Sequence, residues 1–220
     1  MKTKRISIFF FSLFFLSIFA QEKKEKQSSV WKNYHPNFMI GVDVLNVGIG
    51  FFSDRKLFEG YVSTELKPKL HLVADVGFEK NIYKKNGYDV SVNGSFLKVG
   101  SYYMLIADPE NRFNGFYVGG KLAGSFYNQH FFAVPVRGII IGDYSVSYPA
   151  SNQSAFWVEG VLGARIQLFS SPFYIDANFQ PKYMVYTTKQ DKIQPMIVPS
   201  FGESASAFGT GFSWSIAYKF

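Results

Sequence analysis

Cysteine is absent from the 220 residues. That excludes disulfide staples, thiolate metal sites and the acylated cysteine of a lipoprotein. Histidine occurs only three times, as His35, His71 and His130, too scattered in sequence to suggest a metal centre. From Phe38 onward no helix-period apolar stripe of useful length can be found. Charge is also modest: the formal +7 falls to +4 once Lys2, Lys4 and Arg5 are set aside, which is unremarkable for a nucleic-acid binder. Neither a cofactor, a metal nor a nucleic acid is expected.

What the chain has is aromatic side chains, 25 Phe and 14 Tyr among them, at a mean hydropathy of +0.00. The rings are therefore balanced by polar residues rather than gathered in long runs. The exception is the start. Lys2, Lys4 and Arg5 precede the apolar run "ISIFFFSLFFLSIFA", which ends on the small Ala20. A basic start, a short apolar stretch and a small residue predict a secretory signal peptide over 1–20. The run is shorter than the roughly 20 residues of a spanning helix. Residues 21–36, "QEKKEKQSSVWKNYHP", hold too few apolar groups to fold alone and read as a flexible charged periplasmic leader.

Beyond the leader, large apolar and small or polar residues alternate, with turn residues between the segments. In "FYVGGKLAGSFYN", Phe116, Val118, Leu122 and Phe126 share a face, and Tyr117, Lys121, Ser125 and Tyr127 share the other. Period two is the signature of a strand with two unlike faces. The pattern predicts an all-β protein of eight strands, at 38–51, 57–66, 69–83, 94–106, 114–128, 155–169, 173–186 and 207–220. Connections of one side are short ("KPK", "ADPENRF", "SSP"). Those of the other include "SDRK" and three longer ones, "KKNGYDVSV", 129–154 and 187–206. The middle one carries an isoleucine run at 139–141, and changes at 150–153 within it are expected to leave folding untouched. Short turns on one rim and long loops on the other fit an eight-stranded antiparallel transmembrane β-barrel over 37–220, with both ends periplasmic.

Alternation alone does not say which face meets water. The less apolar face carries Gly119, Ala123, Gly163, Gly211, Ser213, Ser215 and Ala217, an oddly bare exterior for a soluble protein. The other face is bulky and aromatic, as a lipid-facing surface would be. The same inward face collects acids (Asp43, Glu59, Glu65, Asp75, Glu79, Glu159, Asp176) and bases (Lys98, Lys121, Arg165, Lys182). Eight strands enclose a lumen that side chains can just fill. Mixed charges there predict an ion-paired plug instead of a channel.

The last strand, "GFSWSIAYKF", places Phe212, Trp214, Ile216, Tyr218 and Phe220 at every second position. Trp214, Ile216, Tyr218 and Phe220 resemble the C-terminal signal by which outer-membrane barrels are recognised by their assembly machinery. The stretches "GVDV" (41–44), "GSFLKVGSYYML" (94–105), "FYVGGKLAGSFYNQ" (116–129) and "SAFWVEGVLGARIQL" (154–168) resemble small outer-membrane barrels of the OmpA/OmpX type. More closely, they are similar to a Bacteroidota outer-membrane barrel family of unknown function. That resemblance implies the architecture, contact with outer-membrane lipid and engagement of the assembly machinery, and no established activity.

Three roles are weighed. An enzyme resembling the lipid A deacylases or palmitoyltransferases needs a histidine with a serine and a carboxylate at the outer rim. His130 with Ser125 and Asp143 is the available set, and no recognisable motif surrounds it. An accessory barrel of a secretion machine would engage a partner through the lysine-rich leader. The expected role is a non-catalytic barrel, structural or binding an unidentified envelope protein.

Overall fold

The computed structural model describes residues 37–138, 142–190 and 193–220. The expected signal peptide, the leader with His35, and the isoleucine run at 139–141 lie outside the described residues. Within them the chain runs β1 (Phe38–Asp43), α1 (Val44–Phe52), β2 (Arg55–Lys67), β3 (Leu70–Lys85), β4 (Tyr88–Ala107) and β5 (Gly115–Val136). There follow β6 (Tyr144–Gln167), β7 (Phe173–Thr187), the short β8 (Ile197–Val198) and β9 (Gly202–Glu203), and β10 (Phe208–Lys219). Eight of the strands close into one antiparallel barrel in the order β1-β10-β7-β6-β5-β4-β3-β2. Closure leaves no free sheet edge over the paired residues, so backbone groups are satisfied strand to strand.

The two faces of the wall are opposite in character. Outward, each strand shows apolar side chains such as Val62, Val76, Leu97, Leu122, Leu162 and Ile216, all exposed. Inward lie Lys98, Glu159, Arg165 and Asp176, all buried. Rings cluster at both outward rims: Phe173 packs on Tyr218 at one, and Tyr183 on Phe208 at the other. An apolar outside between aromatic girdles, around a charged inside, is the polarity of a barrel standing in lipid. Among the described residues no helix is long and apolar enough to cross a membrane; strands form the wall here.

Inward glycines give the enclosed rings their space. A Cβ on Gly163 would meet the Tyr117 ring at 2.2 Å, and one on Gly41 would meet the Tyr61 ring at 2.3 Å. These rings lie flat against the wall where a side chain would have been.

Four expectations about the loop rim need correction. The first strand was expected over 38–51 but ends at Asp43, and Val44–Phe52 is helical. Asp43 caps that helix, its Oδ1 accepting from the Asn46 backbone N–H at 3.1 Å. The pairing of β1 with β10 therefore stops at Asp43 opposite Ser215. Beyond it, α1 lies where β1 would have continued, and Asn46 Nδ2 donates to the Phe212 carbonyl of β10 at 3.3 Å. "KKNGYDVSV" is no loop. Strands β3 and β4 pair up to Lys85 opposite Tyr88, and Asn86 and Gly87 turn the chain with φ of 54° and 81°. Two consecutive positive φ values define the tight hairpin that Asn-Gly favours.

The stretch 129–154 is mostly ladder as well, since β5 and β6 stay paired out to Val136 opposite Tyr144. Residues 150–153 consequently lie in β6 and are no free loop: Gln153 is buried, and its Oε1 accepts from Thr188 Oγ1 at 2.6 Å. The connection after β7 folds back, with β8 and β9 burying Ile197, Val198 and Phe201.

The wall's polarity is directly testable. Leu162→Arg on the outer face should destabilise the folded barrel by about 2–4 kcal/mol if its position lies near the membrane midplane. Urea unfolding in lipid vesicles measures this, and an unchanged midpoint would mean the outer face does not meet lipid.

Candidate functional site

The lumen is the candidate site, and its charges are brought together by strand register. Asp75 of β3 lies opposite Lys98 of β4, Lys121 of β5 opposite Glu159 of β6, and Glu159 and Arg165 opposite Lys182 and Asp176 of β7. Opposite charges thus face each other across neighbouring strands on one side of the sheet.

Glu159 stands at the centre. Its Oε1 accepts from Trp157 Nε1 at 2.7 Å and lies 3.5 Å from both Lys98 Nζ and Lys182 Nζ. Lys98, with no exposed surface, reaches on to Glu59 at 2.9 Å, and Lys121 meets Asp75 at 2.6 Å. Glu59, Lys98, Glu159 and Lys182 thus form a chain of alternating sign with the Lys121 and Asp75 pair beside it, so each of these charges has an opposite neighbour. Removing an ion from water costs several kcal/mol, and such pairing offsets much of it.

Toward the rim with the short turns sits a second group. Arg165 holds Asp176 through Nη2 at 2.5 Å and Nε at 2.7 Å, while Tyr117 OH donates to the other carboxylate oxygen at 2.5 Å. Tyr61 OH adds a bond to Asp176 at 3.3 Å. Arg165 Nη1 also donates to Tyr102 OH at 2.9 Å, and its guanidinium carbon lies 5.1 Å from that ring's centre. The fork geometry of arginine is what allows one side chain to hold a carboxylate and a phenol at once. Below, His71 is wholly buried and stacks on Tyr102 at 4.8 Å, and Phe113 lies edge-on to it.

Toward the loop rim a third layer closes the barrel. Glu79 is paired with Arg55 at 2.8 Å and accepts from the Ser200 backbone N–H at 2.7 Å. Lys182 donates to the Ser200 carbonyl. Both polar backbone groups of Ser200 are thereby tied to lumen charges from opposite sides. This fastens the connection after β7 into the mouth, where Phe201 packs against Trp157 at 5.9 Å and Ile197 and Val198 join Leu57, Phe96 and Tyr127.

Little space remains. A void of about 20 Å³ lies between Asp43, Asp75, Lys121 and Arg165, room for about one water. A second of about 80 Å³ lies beside α1, lined by Arg55, Glu59, Lys182 and Ser200.

Of the sequence-expected lumen residues, Glu59, Asp75, Lys98, Lys121, Glu159, Arg165, Asp176 and Lys182 occupy this interior. Glu65 stands apart at the short-turn rim, 3.8 Å from the half-exposed Arg112. Asp43 caps α1, its Oδ2 accepting from Asn46 Nδ2 at 2.6 Å. Sequence reasoning put Tyr117 on the face of Lys121 without giving it a role, and passed over Trp157, Tyr61, Tyr102, Arg55 and the Ser200–Phe201 cap. Their parity was a usable signal, because Trp157 shares its face with Glu159, and Arg55 with Glu59. The cap's signal was the apolar "MIV" at 196–198, with Phe201 three residues on, inside a loop of mostly polar residues.

The possible catalytic set is not assembled. Ser125 is buried and donates to the Ser95 carbonyl at 3.1 Å, whereas the His130 ring packs tilted against the outward Phe132 at 3.9 Å. Asp143 accepts instead from the Gly138 backbone N–H at 3.3 Å. Among the described residues no three or more metal-ligating side chains gather.

Fold and lumen together define a small, closed, charge-filled transmembrane β-barrel. The chain belongs to the family described as "Domain of unknown function (DUF6048)", which matches residues 1–220. No curated protein matches it. Among solved structures it is similar to the N-terminal β-barrel domain of Pseudomonas aeruginosa OprF, at 9% identity and a TM-score of 0.37, covering 84% of this chain and 100% of that one. It is also similar to Neisserial surface protein A, at 10% identity and a TM-score of 0.37, covering 84% and 96%.

Removing one partner of a buried pair should be far worse than removing both. Arg165→Ala is expected to cost about 3–5 kcal/mol, and the double change Arg165→Ala with Asp176→Asn clearly less. Equilibrium unfolding of the wild type, both single variants and the double variant tests this, and a double loss equal to the sum of the single losses would show that the pair is not coupled.

Proposed function

We propose that the protein is an integral outer-membrane barrel with a structural or partner-binding role, inserted as a sealed wall and not as a conduit. The observation carrying this reading is the filled lumen: ion pairs cross it at Glu159, and Phe201 closes its mouth. A solute path would have to break several buried pairs in succession. The N-terminal segment is read as a secretory signal that delivers the chain to the envelope.

The reading is tested by fractionation together with single-channel recording. The protein should sediment with outer membranes, run faster on gels unboiled than boiled, and show no steady conductance in planar bilayers. Phe201→Ala should permit transient openings because it thins the cap. Steady wild-type conductance would overturn the sealed-wall role, and recovery in the soluble fraction would overturn the membrane location.

Trp214, Ile216, Tyr218 and Phe220 are proposed to act as the signal read by the assembly machinery. Support comes from the common outward side of Trp214, Ile216 and Tyr218 on β10, the strand that meets β1 at the closing seam, and from the exposed Phe220 just past its end, whose backbone N–H donates to the Phe38 carbonyl at 2.9 Å. Tyr218 packs on Phe173 at 5.2 Å and on Phe220 at 4.9 Å. Replacing Tyr218 and Phe220 by Ser should sharply lower the amount of heat-modifiable barrel in the membrane. Unchanged amounts would remove these residues from assembly.

A further inference from the structure

We infer that the outer surface carries a binding site for an anionic, phosphate-bearing membrane lipid, with its phosphate between Lys56 and Lys80 and an acyl chain in the groove below them. The inference rests on the transmembrane reading above. Lys56 of β2 and Lys80 of β3 lie opposite each other on the exposed face, above the facing pair Phe58 and Phe78. Like charges directly opposite on a sheet repel. Among the described residues no ion pair joins either lysine to an acid, although Lys84, further along β3, has Asp89 at 3.2 Å. An anion placed between the two ammonium groups turns that repulsion into a pair of charge-assisted hydrogen bonds.

The groove gives the anion its class. About 560 Å³ opens between α1 and the outer wall, with Val47 and Phe51 on the helix side and Phe58 and Phe78 on the strand side. Helix α1 buries no residue, and Phe51 and Phe52 are 81% and 94% exposed. A short apolar helix held this way lies along the boundary between headgroups and acyl chains. Asp54 also borders the groove, a single acid beside two lysines. Two cations at the top of an apolar trough match a lipid's phosphate and acyl chain. A free phosphate would leave the trough unused.

Native mass spectrometry of the folded protein in maltoside detergent tests the site. Dioleoyl phosphatidylglycerol and dioleoyl phosphatidylcholine share their acyl chains and differ in net charge. Wild type should bind the first about tenfold more tightly, a preference worth one charge-assisted contact pair. K56Q/K80Q should bring that ratio below about twofold, while K84Q keeps it. Phe51→Ala should weaken both lipids, and inorganic phosphate should not displace either. Equal binding of the two lipids by wild type, or an intact preference in K56Q/K80Q, would overturn the site. Displacement by inorganic phosphate would overturn its lipid character. Each variant is run unboiled and boiled on gels beside the binding measurement. A wild type without heat-modifiable mobility would instead refute the transmembrane reading itself, whereas a normal shift with equal lipid binding refutes the lipid site alone.

Discussion

Glu159 receives Trp157, Lys98 and Lys182 on one carboxylate oxygen, and the arrangement of the lumen follows from that convergence. Lys98 carries the network to Glu59 of β2, and Lys182 carries it to Ser200 above. A single buried carboxylate thereby connects strands β2, β4, β6 and β7 with the connection that closes the mouth. The constraint behind this is width. Eight strands leave no room for a hydrated lumen, so charges pointing inward must neutralise one another. The Arg165 and Asp176 pair repeats the same solution nearer the other rim, with tyrosine hydroxyls completing the hydrogen bonds.

The same constraint accounts for the wall. Long ionic side chains and flat-lying rings occupy the interior only because glycine, alanine and serine stand behind them, as Gly163 stands behind Tyr117. Apolar bulk is displaced to the outside, where Leu122, Phe126 and Ile166 are exposed. Lipid makes that exposure favourable. In water, so broad an apolar band would be a liability.

Much of the architecture was legible because the period-two alternation is a local signal. Alternation gives the strands, and parity places Lys98, Lys121, Glu159 and Arg165 inside. What parity cannot give is register, and register decides that Glu159 faces Lys121 and Lys182; nor can it give the contact of Glu65 with Arg112, which lies in a turn outside the ladder. Helix α1 escaped notice because "VLNVGIGFF" also reads as an apolar strand; Asp43 capping it is a tertiary and local choice together. Asn86-Gly87 is a local hairpin signal that the reading of "KKNGYDVSV" as a loop left unused. The cap depends on contacts distant in sequence, Ser200 with Glu79 among them, and no local pattern carries such pairing.

The central claim is that the barrel is turned apolar side out. Two tryptophans of known facing test it: Trp214 is 45% exposed on the outer wall, and Trp157 is 1% exposed in the lumen. With Trp31 replaced by Phe, single-tryptophan proteins are refolded into vesicles whose acyl chains carry bromine, a contact quencher of indole fluorescence. Strong quenching of Trp214 with little loss at Trp157 is the predicted result. Quenching of Trp157 but not Trp214, or of neither, would contradict the account.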